Sequence, residues 1–206
     1  YAFARMRFRG SNVLFLLYLD RFLHRMRPVA VAELRAFLRV SHEAEDGLIA
    51  RLGRASAERV AEETGRALTA ETWRMAADVG EGRVKGAFRG FPLIRPPYLS
   101  FIEARVAKDD GTSVALPLQN VRVDGDGNAV WLRLDGYLAD ARMWRPVEVV
   151  WRAGVEDAAE VPEALRMAVM LLTAQMYERR DAMGAPVAAL PEAVTALIAP
   201  FRVLKL

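Results

Sequence analysis

The hydrophobic pattern of the chain changes its period twice, and this change constrains the fold more than any other feature of the sequence. Apolar residues recur at helical spacing over about residues 30–70 and again over about 160–200. Between them, over about 72–155, short stretches alternate between apolar and polar residues and are separated by glycine and proline turns. A helix with one apolar stripe must bury that stripe against a partner. The sequence therefore predicts an α+β fold, with a small helical bundle from the N- and C-terminal segments and an inserted antiparallel β-sheet.

The first helical region predicts two helices. The apolar spacing over residues 31–38 indicates a short helix. Ser41 is expected to cap a second, longer helix, because a serine oxygen can accept a free N–H and the acidic residues after it favour the positive end of the helix dipole. Gly65 is expected to end that helix, since glycine readily takes the left-handed conformation.

The middle region predicts a set of short antiparallel strands joined by tight turns. The predicted strands are residues 100–107, 114–118, 121–123, 129–134 and 147–151. Residues 80–90 contain four glycines and are predicted to be a flexible loop. The sequence Asp-Gly-Asp-Gly-Asn at 124–128 has Ala129 and Asp135 where a calcium loop needs glycine and glutamate, so we interpret it as a hairpin turn.

The last region predicts a long helix, a short helix and a tail. Pro162 suits the start of the long helix, because a first-turn N–H has no helical partner to lose. The short helix extends through Leu197 and Ile198 and is ended by Pro200. The apolar stripe of the long helix consists of Leu165, Ala168, Val169, Leu172 and Met176.

The residue inventory argues against catalysis, a metal or a cofactor. The chain has no cysteine, which removes disulfides, cysteine-ligated zinc, iron–sulfur clusters and thiol chemistry. Its two histidines, His24 and His42, are too few for a histidine metal site and argue against a serine–histidine triad. The carboxylate pairs at 62–63 and 156–157 are interpreted as solvated faces. We therefore expect that the chain is not an enzyme. An enzyme of unrecognised type ranks third, behind the two non-enzymatic functions that are considered below.

Four tryptophans and three basic residues have structural and functional interpretations that remain open. The tryptophans are Trp73, Trp131, Trp144 and Trp151, and they are interpreted as anchors of a core or an interface rather than as nucleotide-stacking groups. Arg83, Lys85 and Arg89 lie in the glycine-rich segment, which lacks the residues of a phosphate loop. These three side chains could still touch phosphates.

The net positive charge of the chain comes from its first 25 residues. That segment has five arginines and one acid, so it carries +4, and residues 26–206 carry −1 of the total of +3. Its apolar run, residues 13–19, is too short to span a membrane, which takes roughly 20 residues. A secretory signal without a cleavage site and a membrane-surface helix are both alternatives. We favour an N-terminal extension over 1–25, followed by one domain over 26–206.

Several short motifs, taken in order, resemble one protein family. They are Thr-Gly-Arg at 64–66, Ala-Gly at 153–154, Val-Pro-Glu at 161–163, Tyr-Glu-x-Arg at 177–180 and Pro-Phe-Arg-Val at 200–203. Together they resemble the head–tail connector (adaptor) proteins of tailed bacteriophages, prophages and gene transfer agents. The resemblance covers about residues 29–204 and not the first 25.

The resemblance implies a structural role in virion assembly. Such proteins form a ring, typically of twelve subunits, under the portal, and the ring extends the DNA channel to the next connector or tail component. The chain would then lie in the neck of a phage-like particle assembled in the bacterial cytoplasm. DNA would only pass through the channel, which suits a body with a charge of −1, and no membrane is involved. The alternative function is a DNA-binding or packaging accessory protein.

The tail of the chain is the candidate contact with the portal or with a neighbouring subunit. It is apolar and basic, and the sequence offers it no partner within the chain. The candidate residues are Phe201, Arg202, Val203, Leu204, Lys205 and Leu206.

Overall fold

The computed structural model has four α-helices and ten β-strands among the residues that it describes, so the predicted α+β class is confirmed. The described residues are 4–7, 14–20, 27–78, 83–85, 88–107, 112–117, 119, 121–125, 130–134, 146–179 and 189–203. The helices are α1 Val31–Phe37, α2 Asp46–Thr64, α3 Glu163–Glu178 and α4 Glu192–Ile198, with 3₁₀ turns at Ala158–Glu160 and Ala199–Phe201. The strands are β1 Ala4–Arg7, β2 Leu14–Asp20, β3 Glu71–Asp78, β4 Arg83–Lys85, β5 Phe88–Leu93, β6 Tyr98–Ala107, β7 Ser113–Ala115, β8 Val121–Gly125, β9 Val130–Leu134 and β10 Pro146–Ala153.

The chain forms two compact units, and each combines segments that are distant in sequence. One unit contains Tyr1–Leu23 and Ala70–Gly154, and the other contains His24–Thr69 and Val155–Leu206. All four helices belong to the second unit. A helical bundle built from both sides of an inserted sheet region is therefore what the structure shows.

The core of the helical unit is where the apolar stripes of its helices meet. The predicted stripe of α3 is confirmed: its first four members are buried, and Met176 packs partly buried against them. They share one cluster with Leu34 of α1 and Ile198 of α4. The α2 residues in this core include Ile49 and Val60, both fully buried. Burial of these stripes is what stabilises helices as short as α1 and α4.

The second helix begins later than the sequence predicts, and the Ser41 cap is wrong. The helix starts at Asp46 with Glu45 in the N-cap position, and no side chain caps it. Ion pairs hold this end instead, because the Arg35 guanidinium lies 3.2 Å from carboxylates of both Glu43 and Asp46. The Glu45 carboxylate also accepts a hydrogen bond from the Tyr177 hydroxyl of α3.

Two glycines of α2 differ sharply in how much space surrounds them. A Cβ at Gly53 would lie 2.5 Å from Cδ1 of the buried Leu34, whereas a Cβ at Gly47 would meet nothing within 4 Å. Gly53 therefore allows α1 to approach α2 closely.

We expect Gly53→Ala to lower the free energy of unfolding by about 1–3 kcal/mol, because the gain in helix propensity is smaller than the cost of displacing a packed leucine. Gly47→Ala, the same change in the same helix, should be neutral or slightly stabilising. Urea denaturation of both variants tests this, and a Gly53→Ala protein as stable as the parent would contradict it.

The sheet region contains two antiparallel sheets, whereas the sequence predicted one. The larger has the strand order β1-β2-β3-β10-β6-β7 and the smaller has the order β4-β5-β9-β8. Strands β6 to β10 confirm the five predicted strands, with boundaries shifted by a few residues and Leu118 outside the described part. The hairpin turn after β8 lies mostly outside the described residues, but β8 and β9 on either side of it pair antiparallel.

Five strands, β1 to β5, were not predicted. Two of them, β4 and β5, lie where the sequence analysis expected a flexible loop, which is wrong for the described residues 83–85 and 88–90. Strand β3 has a clear alternation, because Trp73 and Met75 are buried and their neighbours are not. Strand β10, which was predicted, lies between β3 and β6. This interior position in the sheet explains why its short apolar run is deeply buried.

The other two unexpected strands, β1 and β2, lie in the basic N-terminal segment. Strand β2 pairs antiparallel with β3, and β1 pairs with β2, so this segment contributes two strands to the larger sheet. A membrane-surface helix is therefore wrong for residues 14–20. Met26, the predicted start of the domain, lies outside the described residues, and the division at that point stays a prediction. Within the described part of the chain, no helix is long and apolar enough to cross a membrane.

Candidate interaction surface

The first half of the predicted contact segment is attached to the end of α2. The Val203 N–H donates to the Thr64 carbonyl oxygen at 2.8 Å. The Arg202 guanidinium lies 3.5 Å from the Glu63 carboxylate, and Phe201 packs partly buried against the helical core. These three residues therefore have partners within the chain, which the sequence did not indicate.

The end of α2 is shaped to receive this segment. Gly65 is the C-cap in the left-handed conformation, with φ of 72°, as predicted, and its N–H donates to the Glu62 carbonyl oxygen at 3.3 Å. The Thr64 hydroxyl donates to the Val60 carbonyl oxygen at 2.7 Å and accepts from the Arg66 N–H at 3.3 Å. The left-handed residue turns the chain away from the helix axis, so the Thr64 carbonyl oxygen stays accessible to Val203.

The Val203 side chain lies directly beside Gly65. A Cβ at Gly65 would lie 3.4 Å from the Val203 Cβ, at the near limit of ordinary van der Waals contact. Val203 is nevertheless 37% exposed, and it belongs to the few large apolar side chains with that much exposure among the described residues. We call the set of Glu63, Thr64, Gly65, Arg202 and Val203 the tail contact.

Charge adds little to the strength of the tail contact. Glu63 pairs with Arg59 of its own helix at 2.8 Å as well as with Arg202, and all three side chains are partly exposed. Exposed ion pairs of this kind contribute about 0–1 kcal/mol. Burial lowers the pKa of the nearby Arg66 guanidinium from its ordinary value. The main-chain hydrogen bond and the apolar contact at Gly65 therefore hold the segment.

The remaining candidate residues, Leu204, Lys205 and Leu206, lie outside the described residues. Their predicted role as a contact with a portal or a second subunit stays a prediction. The tail contact itself ends at Val203, the residue directly before them.

One carboxylate of each pair weighed as an acid–base candidate has a structural partner. Glu63 takes part in the tail contact, and the Asp157 carboxylate accepts the Ala159 N–H at 2.9 Å, which caps a 3₁₀ turn. No cluster of three or more metal-ligating side chains occurs within the described ranges. His42 is exposed, and His24 lies outside the described residues.

The four tryptophans differ in burial: two are buried in the sheet, one is half-buried and one lies outside the described residues. Trp151 of β10 is fully buried and lies opposite both Trp73 of β3 and Phe101 of β6. The Arg95 guanidinium stacks 5.1 Å from the centre of the Trp73 ring. Trp131 of β9 is half-buried, and Trp144 lies outside the described residues. The core interpretation is confirmed for Trp73 and Trp151.

The three basic residues of the glycine-rich segment lie on strands, and the structure gives their positions in the strand register. Arg83 and Lys85 belong to β4 and Arg89 belongs to β5. Their pairing puts Arg83 opposite Gly90 and Lys85 opposite Phe88.

Comparison with solved structures identifies the same fold in components of gene transfer agent (GTA) particles. A chain from the structure "Neck of empty GTA particle computed with C6 symmetry" superposes with a TM-score of 0.69 and 24% identity, over 92% of this chain and 96% of that chain. A chain from "Virion of native gene transfer agent (GTA) particle" gives 0.68 and 23%, over 92% and 96%. A chain from "Neck of native GTA particle computed with C12 symmetry" gives 0.63 and 22%, over 92% and 97%. No protein-family model matches the chain, and no curated protein matches its sequence.

Proposed function

We propose that the chain is a structural head–tail connector, or adaptor, in the neck of a phage-like particle. In this role it forms a ring under the portal, extends the DNA channel and joins the head to the next connector or to the tail. The observation that carries the proposal is the agreement of fold over nearly the full length of both chains with proteins in GTA particles, two of them in necks solved with C6 and C12 symmetry. At this level of identity the comparison itself shows the fold.

Two properties of the molecule support this role over catalysis or DNA binding. One carboxylate of each pair weighed for acid–base chemistry, Glu63 and Asp157, stabilises local structure. The whole chain carries a net charge of only +3, and residues 26–206 carry −1, so net charge supplies little long-range attraction for DNA. A wall around a DNA channel must attract DNA only weakly, because the DNA has to move through the channel.

The experiment that tests the proposal is a mass measurement. The purified chain is analysed alone and with its cognate portal, by light scattering or native mass spectrometry. A complex with one copy per portal subunit supports the connector role. A stable monomer that ignores the portal, together with salt-sensitive binding to duplex DNA, overturns it in favour of the packaging accessory protein.

The tail contact permits a sharp test of the predicted portal contact. Because residues 201–203 are anchored on α2, replacing Leu204, Lys205 and Leu206 by serine should leave the melting temperature unchanged and abolish portal binding. Val203→Ser is the matched variant within the anchor, and it should lower stability as well as binding. The readouts are thermal melting and co-sedimentation with portals. Undiminished portal binding by the triple variant would show that the contact lies elsewhere.

A further inference from the structure

The larger sheet has an open edge at β7. Its residues Ser113, Val114 and Ala115 are all exposed, and β6 is their only strand neighbour within the described part of the chain. An unpaired edge offers free N–H and C=O groups to another strand. The edge is therefore a surface that a second chain can extend.

The backbone of β7 shows which groups point outward. The Leu116 N–H donates to the Ala104 carbonyl oxygen of β6 at 2.8 Å. Successive residues of an antiparallel strand direct their N–H and C=O groups to opposite sides, so the groups of Ala115 point away from β6. A strand added at this edge would bond to Ala115 without disturbing the pairing of β6 with β7.

The apolar face of the sheet also ends unfinished at β7. Val147 of β10 lies opposite Val106 of β6, and Val106 lies opposite Val114. The first two are buried, whereas Val114 is 45% exposed. One more strand beyond β7 would cover Val114 and complete this row.

The strand at the other edge of the same sheet, β1, runs in the direction that lets it pair antiparallel with β7 of a second copy. The sheet has six strands, and every neighbouring pair is antiparallel, so its two edge strands run in opposite directions. A second copy placed beside the first in the same orientation, as rotation about a ring axis places it, presents β1 antiparallel to β7. The antiparallel pattern then continues across the boundary between the copies.

The register of the sheet predicts which positions would meet. One row crosses all six strands through Arg5, Leu16, Ala76, Glu148, Arg105 and Ala115. Directly opposed residues of paired strands belong to the same row, and alternate residues of one strand belong to opposite faces. In a continued sheet Ala115 of one copy would thus lie opposite Arg5 or Arg7 of the next, and not opposite Met6.

We propose that β7 of one copy pairs with β1 of the next copy, so that the six-stranded sheets join into a continuous belt around the ring. This proposal rests on the proposed function, because it specifies the contact between subunits of that ring. Such a contact is heterologous and closes only by rotation, as a cyclic ring requires.

The first test blocks the edge. Ala115→Pro removes an outward N–H and leaves the bonds to β6 intact, whereas Ala115→Val keeps the N–H and suits a strand. We expect Ala115→Pro to lower the fraction of chain in rings by at least about tenfold at a fixed concentration. Ala115→Val should assemble like the parent. The readouts are native mass spectrometry for assembly and circular dichroism for the fold of both variants.

The second test uses the absence of cysteine, since any disulfide then comes from the introduced residues. Ala115→Cys is combined in turn with Arg5→Cys, Arg7→Cys or Met6→Cys, and assembled protein is oxidised. We expect a ladder of cross-linked copies on a non-reducing gel for Arg5→Cys or Arg7→Cys, and none for Met6→Cys. A dimer band from Ala115→Cys alone would mean that two β7 strands pair symmetrically, and it would overturn the proposal.

The outcomes separate this contact from the ring itself. If the parent chain forms rings while Ala115→Pro assembles normally and no pair cross-links, the edge contact is overturned and the connector function stands. If the parent chain forms no ring, alone or with the portal, both are overturned.

Discussion

Trp151→Ala should lower the free energy of unfolding by about 3–5 kcal/mol, the largest effect that we expect from a single substitution in the sheet unit. Trp151 has no solvent exposure, and its strand β10 lies in the interior of the six-stranded sheet. The neighbours opposite it are Trp73 and Phe101, so truncation leaves a cavity between aromatic side chains that cannot collapse easily. Calorimetry or urea denaturation of the purified variant measures the loss.

Two further substitutions separate the contributions of volume and hydrogen bonding. The Trp151 indole N–H is buried without an acceptor among the described residues, so Trp151→Phe removes no hydrogen bond. We expect that variant to lose only about 1–2 kcal/mol. Trp131→Ala, at a half-buried position of β9, should also lose less than Trp151→Ala. Equal losses for Trp151→Phe and Trp151→Ala would contradict the volume argument.

Gly65→Val is the second large prediction, and it joins stability to function. At φ of 72° a β-branched residue is strongly disfavoured, and its methyl groups would extend from a Cβ that already lies 3.4 Å from the Val203 Cβ. We expect a loss of about 2–4 kcal/mol in the free energy of unfolding. Because the same change displaces the tail contact, portal binding should fall together with stability.

Gly65→Asn is the matched control, because asparagine tolerates the left-handed conformation much better than valine. It should lose about 1 kcal/mol or less and should retain most of the portal binding. Adding Val203→Ala to Gly65→Val would relieve the contact but not the backbone strain, so it should recover only part of the stability. Full recovery would mean that the contact, and not the conformation, sets the requirement for glycine.

Local chemistry made several elements predictable from the sequence. The stripe of α3 and the glycine that ends α2 follow from helical spacing and from the conformational freedom of one residue, and both are confirmed. Strands β6 and β10 could be predicted because their apolar runs are bounded by turn residues. The α+β class and the bundle formed from both chain ends follow from the same patterns.

Other features depended on partners far along the chain. The start of α2 was missed because Arg35 and Tyr177 hold it from other helices. Strands β4 and β5 contain glycines that a local analysis assigns to a loop, and β1 and β2 lie in a segment whose charge and short apolar run suggested an extension. A strand is stabilised by the strand beside it, and that neighbour need not be near in sequence.

The residue pattern was enough to predict the periodic elements and the helix-ending glycine, and it pointed to the tail residues proposed to form a contact. Which tail residues the end of α2 holds and which sheet edge is open depend on long-range pairing, so they became visible only in the folded chain. Arg202 and Val203 are bound by a helix end more than 130 positions earlier, and β7 is an edge only because of the order in which six strands assemble. The spacing of apolar residues within one segment predicts whether that segment is a helix or a strand. The surface that is open to a partner depends on which distant segments have already packed or paired with each other.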